Sequence, residues 1–218
     1  MLRWRFMNQI ENITVKKELK YNDTVVLKYI IEYPQIVSTK YMYGKLEFNR
    51  YNKLKAIELQ NEIERDLYEE AVKLYKYNME NGYPLMIYEI IQKYNVTYSK
   101  DNVVSLYIDK YIFSGGAHGN TIRSSQNWNL RSANLVPLSF FYYDNENYVT
   151  HILNDILRQI DRQIESGENQ YFEDYCKLAI QNFKVDNYYL LYNYIVVFYQ
   201  QYDIAPYSSG IPTFKIRR

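Results

Sequence analysis

The chain opens with a two-residue hydrophobic period. "QIENITVKKELKYND" and "TVVLKYIIEYPQIV" alternate in part between apolar and polar positions and are rich in β-branched residues. This pattern predicts two strands joined at Tyr21-Asn22-Asp23. Pro34 lacks a backbone donor, so it is expected to end the second strand or to put it at a sheet edge.

From about Asn49 to Asn81 the period changes. Leu54, Ile57, Ile63, Leu67, Ala71 and Leu74 recur mostly at steps of three and four, which predicts one apolar helix face. Lys53, Lys55, Glu58, Glu62, Glu64, Arg65, Glu69, Glu70 and Lys73 lie between them as the solvated side. Asn49 can cap the start, and Asn81-Gly82 closes the end ahead of Pro84.

Strand patterns return over Leu85–Ser99, Val103–Phe113 and Thr121–Leu130. They are linked at Tyr98–Asn102, and a further turn follows at Arg131–Asn134. A helix is predicted after Asp144 or Asn145, with Val149, Ile152, Ile156 and Ile160 on one face and Gly167 at its end. A shorter helix near Phe172–Asn182 precedes a tail of strands broken by Pro206 and Gly210. The order is strand-strand-helix-strand-strand, then strand-helix-helix-strand-strand. It predicts an α+β fold with two closely packed subdomains, each an antiparallel β-sheet covered by helices. They are expected to join near Phe113–Asn120.

Composition narrows the function. With 26 Lys+Arg against 25 Asp+Glu in 218 residues, the net charge is +1. No run of one sign appears, so charge gives no case for nucleic acid or an anionic membrane. The 27 tyrosines fit an AT-rich coding sequence and also a sticky aromatic recognition surface. The single cysteine, Cys176, excludes an internal disulfide and a cysteine-based zinc site. Its setting, "FEDYCKLAI", predicts a buried position on an amphipathic helix. No apolar run nears the ~18 residues a membrane span needs, and "MLRWRFMNQIENITV" has no apolar core of a signal peptide. A complete chain would then be cytoplasmic; the alternative is a chain whose leader or anchor has been removed.

The stretch "IFSGGAHGN" holds three of the seven glycines and one of the two histidines. It is no phosphate loop, because no lysine follows and a strand rather than a helix begins at Asn120-Thr121. The spacing does not match a dinucleotide fingerprint. Ser114 follows phenylalanine rather than the first glycine of a nucleophile elbow. Neither His118 nor His151 has a partner ligand at the spacing of local metal motifs. The leading reading is a structural turn: Gly115 and Gly116 supply positive φ, and the His118 ring satisfies nearby backbone groups. No cofactor is implied.

"SGGAHGNTIRSSQNWNL", then "LVPLSFF", a helix and "YQQYDIAPYSSGIPTFKI" together resemble DUF3298, the C-terminal domain of the anti-sigma factor RsiV. The matching features are Gly115–His118, Asn129-Leu130, Leu138–Phe141 and Tyr202–Gly210. The upstream half is similar to the companion DUF4163 (PdaC-like) domain. The expected division is residues 1–112 for the DUF4163/PdaC-like part and 113–218 for the DUF3298/RsiV-like part. The family's usual hairpin glycine is replaced here by Ser132-Ala133-Asn134, with Asn134 suited to the left-handed turn.

The resemblance implies a bacterial, non-catalytic recognition or sensor module, extracytoplasmic if a leader was trimmed. Its ligand would be a protein, lysozyme-like, or a cell-wall glycan such as a peptidoglycan fragment. The expected contact is a stiff loop carrying Tyr202, Pro206 and Tyr207. A second reading is an enzyme acting on cell-wall polymer, with His118 and a carboxylate as the acid/base pair. A third is a cytoplasmic interaction protein.

Overall fold

The computed structural model describes residues 8–142, 146–168 and 170–218. It is an α+β structure with a six-stranded sheet ordered β1-β2-β3-β4-β5-β6 and a three-stranded sheet ordered β7-β8-β9. The chain forms two compact units from interleaved segments. The first takes the described residues up to Tyr94, with Ile108–Thr121 and Leu130–Ala133; the second takes Asn95–Tyr107, Ile122–Asn129 and Asn134–Arg218.

In the first unit β1 (Gln9–Tyr21) and β2 (Thr24–Ser38) form a long antiparallel hairpin. Asn22 and Asp23 take φ of 46° and 63°, the left-handed pair that a tight hairpin turn demands. Pro34 does not end β2. It pairs with Asn12 of β1, and beyond Ile31 the strand no longer faces β3, so the missing donor breaks no ladder on that side.

β3 (Tyr88–Lys100) lies parallel to β2, Leu27 opposite Tyr88 through Ile31 opposite Gln92. A parallel neighbour needs a long crossover, and the helical segment provides it. That segment runs as α1 (Met42–Glu62), a π-helical turn (Ile63–Leu67) and α2 (Tyr68–Glu80).

The helix begins a turn and more before Asn49. Asn49 therefore does not cap it; its amide clamps β2 instead, accepting from the Ile36 N–H at 2.8 Å and donating to the Ile36 carbonyl at 2.9 Å. The predicted stripe holds for Ile63, Leu67, Ala71 and Leu74, which pack on Leu27, Tyr29 and Ile31. It fails for Leu54 and Ile57, which are 49% and 41% exposed. In α1 the inward positions are Gly44, Phe48, Asn52, Ala56 and Leu59. The π turn adds a residue between the two helices and so shifts the register of the stripe. Asn81 and Gly82, the latter at φ 69°, close α2 as expected.

The second unit holds the rest of β3, the start of β4 (Val103–Phe113), most of β5 (Asn120–Asn129), and everything from β6 (Asn134–Leu135) onward. The β3–β4 hairpin turns at Asp101, φ 55°. In the turn before β6, Ala133 rather than Asn134 takes the positive φ, 57°; Asn134 is already extended and paired with Asn129.

After β6 come α3 (Tyr148–Ser166), α4 (Tyr175–Gln181), β7 (Tyr188–Leu190), β8 (Tyr194–Phe198) and β9 (Thr213–Arg217). Ile152, Ile156 and Ile160 of α3 are buried, and Gly167 at φ 71° ends the helix. The expected helix start at Asp144 or Asn145 lies outside the described residues. These helices cover a core of Leu190, Ile195, Val197, Tyr199, Phe214 and Ile216.

Cys176 is exposed, not buried. α4 spans only seven residues and turns Ala179, Tyr175 and Leu178 inward, spaced so that Cys176 falls on the outer side. Deep in this unit the Ser105 hydroxyl donates to Asn127 Oδ1 at 2.7 Å and accepts from the Leu190 N–H at 2.8 Å. Asn127 Nδ2 donates to the Tyr188 carbonyl at 2.8 Å, so β4 and β5 are stitched to β7 by side chains rather than by a ladder. No described helix is long and apolar enough to cross a membrane.

Candidate functional site

The segment after β8 is an irregular loop whose backbone is tied down at many points. Gln200 is the pivot: its N–H donates to Asp203 Oδ2 at 2.7 Å, and its side-chain amide brackets Arg123 of β5, accepting at 2.9 Å and donating at 2.7 Å. Asn182 Nδ2 holds the Asp203 carbonyl at 2.7 Å, and the Phe172 N–H holds that of Ile204 at 3.1 Å. Ile204 and Ala205 are buried. Burial pushes the Asp203 carboxyl above the usual carboxylate range, against the pull of the Gln200 N–H.

This anchoring holds Tyr202 at φ 66°, a conformation rare outside glycine, asparagine and aspartate. Its side chain stays 52% exposed. Pro206 is extended, and Tyr207–Ser209 form a single 3-10 turn closed by Gly210 at φ 67°. The Tyr202 and Tyr207 rings stand 5.9 Å apart with planes tilted by 33°, so the loop presents a paired aromatic surface. Tyr207 is half-buried. Ser209 Oγ ties the turn to the Gln170 carbonyl at 2.9 Å.

Two hollows adjoin this loop within the same unit, and a third continues from the second. The first, of about 450 Å³, is lined by Ile164, Tyr171, Phe172, Glu173, Tyr175 and Pro206 among others. It shares Tyr171 with a polar cleft of about 230 Å³ that includes Gln163, Ser209 and Thr213. That cleft shares Gln163 with a third, of about 410 Å³, between α3 and the β8–β9 strands. The Tyr171 hydroxyl donates to Gln163 Oε1 at 2.5 Å, and burial pushes its pKa up to about 12. The Tyr175 hydroxyl donates to Asp161 Oδ1 at 2.6 Å, and that bond raises its pKa above the ordinary tyrosine value.

The glycine stretch lies elsewhere, in the first unit. Gly115 and Gly116 take φ of 93° and 95°. The His118 ring is exposed, with Nδ1 3.0 Å from the Gly119 carbonyl. The turn residues Gly115, Gly116 and His118 and the loop residues Tyr202, Pro206 and Tyr207 therefore belong to separate units. Among the described residues, no three His, Cys, Asp or Glu side chains gather as a metal site would require. A further hollow of the first unit lies on the open face of β1–β3, where Lys28 pairs with Glu89 at 2.9 Å.

The sequence reading reached the loop through its tyrosines and proline but missed the hollows beside it. Gln163, Tyr171 and Tyr175 come from α3, α4 and the segment between them, and nothing in their spacing signals a shared cleft. One available clue was the alternation of "TFKIR", which turns Lys215 and Arg217 to the same outward face of the last strand.

In sequence the chain matches two family models in order: one described as deacetylase PdaC over residues 20–121, and DUF3298, a family of unknown function, over residues 140–218. No curated protein matches the chain. Among solved structures it is similar to a DUF3298 family member from Bacteroides fragilis, with a TM-score of 0.72, 17% identity, and coverage of 98% of this chain and 91% of the other. It is also similar to a DUF3298 family protein from Pseudomonas aeruginosa, with a TM-score of 0.57, 16% identity, and coverage of 96% and 90%. At these identities the likeness establishes the fold.

Proposed function

We propose that this chain, a PdaC-type region followed by a DUF3298 region, is a non-catalytic recognition module, and that it binds a lysozyme-like protein or a cell-wall glycan. The observation that carries the reading is the exposed Tyr202 ring paired with Tyr207 on a loop whose backbone is already ordered. An ordered loop loses little entropy on binding, and tyrosine is prominent among residues that dominate binding energy. Non-glycine residues held at positive φ cluster at functional sites, which favours Tyr202 as a contact. In this reading Pro206 sets the loop's exit, and Gly115, Gly116 and His118 serve as a structural turn. The division into residues 1–112 and 113–218 belongs to the same proposal, supported by the order of the two family regions.

The test is calorimetric titration with lysozyme and with purified muropeptides. Tyr202→Ala or Tyr207→Ala should weaken binding by ~2 kcal/mol or more while the melting temperature stays near that of the parent. Full binding by both variants, or no binding of either ligand class by the parent, would overturn the reading.

A further inference from the structure

The third hollow, between α3 and the β8–β9 strands, gathers three cations. Elsewhere several described cations have a carboxylate partner, as Lys17 has Glu64, Lys28 has Glu89 and Lys73 has Glu69. Here Arg162, Lys215 and Arg217 converge on one groove of about 410 Å³. Asp155 is the one acidic residue on its lining, and it is engaged by Arg158 at 3.4 Å. Neighbouring Asp161 receives the Tyr175 hydroxyl. Among the described residues, neither Lys215 nor Arg217 has a carboxylate at ion-pair distance.

The scaffold beneath is regular. Phe214 and Ile216 point into the core, so Lys215 and Arg217 share the outer face of β9. Asp155, Gln159, Arg162 and Gln163 recur at helical spacing along one side of α3. Gln159 Nε2 donates to the Lys215 carbonyl at 3.2 Å and joins the two elements under the groove. Arg162 Nε donates to the Arg158 carbonyl at 3.1 Å, which orients the guanidinium and leaves its terminal nitrogens available. Tyr194 stands opposite Arg217 in the ladder and adds a ring to the lining.

From this juxtaposition we infer that the groove between α3 and β8–β9 binds an oxyanion, phosphate or carboxylate, carried by an extended saccharide polymer. Guanidinium forks match the oxygens of either group in bidentate fashion. Three cations on one lining attract such a group. Tyr171 and Gln163 connect the groove to the hollow beside Pro206, so one chain could lay neutral rings near the tyrosines and its charged group between the cations. The inference deepens the recognition reading and names the chemical class of ligand.

Fluorescence titration of the full chain tests it with three probes: a phosphomannan oligosaccharide, an oligogalacturonate and neutral chitohexaose. At least one anionic probe should bind, and its affinity should fall as NaCl rises from about 50 to about 300 mM. The phosphate and carboxylate arms distinguish the two sources of the oxyanion. The triple variant Arg162→Gln, Lys215→Gln, Arg217→Gln should weaken that binding at least ~10-fold and keep the parent's melting temperature. The single variant Arg217→Gln serves if the triple does not fold.

Failure of the two readings is separable. If Tyr202→Ala binds the anionic probe as the parent does while the triple variant does not, the groove stands without the loop. The groove is overturned if the variants bind the anionic probes undiminished, if neither probe binds the parent, or if a single-stranded DNA oligomer binds as tightly as either, which would mark general polyanion attraction.

Discussion

Gly44→Ala is a sharp test of the packing described above, because two known effects oppose each other. Gly44 lies near the start of α1, where alanine is the better helix former by ~0.8–1.0 kcal/mol. On an exposed helix the substitution would stabilise. Here a Cβ added to Gly44 would stand 2.0 Å from the Leu130 carbonyl oxygen and 2.6 Å from its carbonyl carbon and Cα. All three contacts are backbone, so no rotamer change relieves them. Reaching an ordinary 3.4 Å contact would require α1 and the turn at Leu130 to part by about 1.4 Å. Phe48 and Leu130 are almost fully buried, so that separation also opens packed surface. Overpacking typically costs 1–3 kcal/mol, and a contact with nowhere to yield belongs at the upper end. Net destabilisation of ~2 kcal/mol is expected after the helix-propensity gain. Urea denaturation measures it, with Asn61→Ala on the exposed side of the same helix as a control that should be neutral or slightly stabilising. If Gly44→Ala matched or exceeded the parent in stability, the close approach of α1 to Leu130 would be wrong.

Ser105→Ala should cost ~2 kcal/mol or more in the same assay, because it orphans the buried Leu190 N–H and removes the donor to Asn127; a loss under ~0.5 kcal/mol would remove the stitching role. Tyr29, Tyr188 and Tyr199 are each held above the ordinary value of 10.0, chiefly by burial and then by Glu64, Asp186 and Asp203. A raised folded pKa gives stability that is full below the unfolded value and is lost as pH climbs past it. The melting temperature should therefore hold up to about pH 9 and fall above about pH 10, with the last tyrosinate absorbance appearing only on unfolding; an ideal titration of every tyrosine near pH 10 in the folded state would contradict the burial. Cys176 should react with a thiol reagent about as fast in the native protein as in denaturant, and strong native protection would refute its outward position on α4.

The fold could be read from the sequence where local chemistry and tertiary demand agree. Asn22-Asp23 makes a tight turn in any context, Gly167 ends a helix by its own conformational freedom, and the isoleucines at 152, 156 and 160 have one face to bury. It could not be read where a distant partner decides. Asn49 resembles a cap, yet its amide serves Ile36, thirteen residues back. Leu54 and Ile57 fit a buried stripe, but the π turn shifts that stripe, and Gly44 and Asn52 go inward instead because the sheet and Leu130 require a close approach. The same distinction governs the candidate site. Tyr202 and Pro206 announce a loop from sequence alone. Arg162, Lys215 and Arg217 become one electrostatic feature only because α3 lies along β9, with Gln159 bonded to the backbone of Lys215. The aromatic end of the surface was thus legible as chemistry, whereas the cationic end is a product of packing. Variants at the two ends are accordingly expected to separate in their effects on neutral and charged ligands.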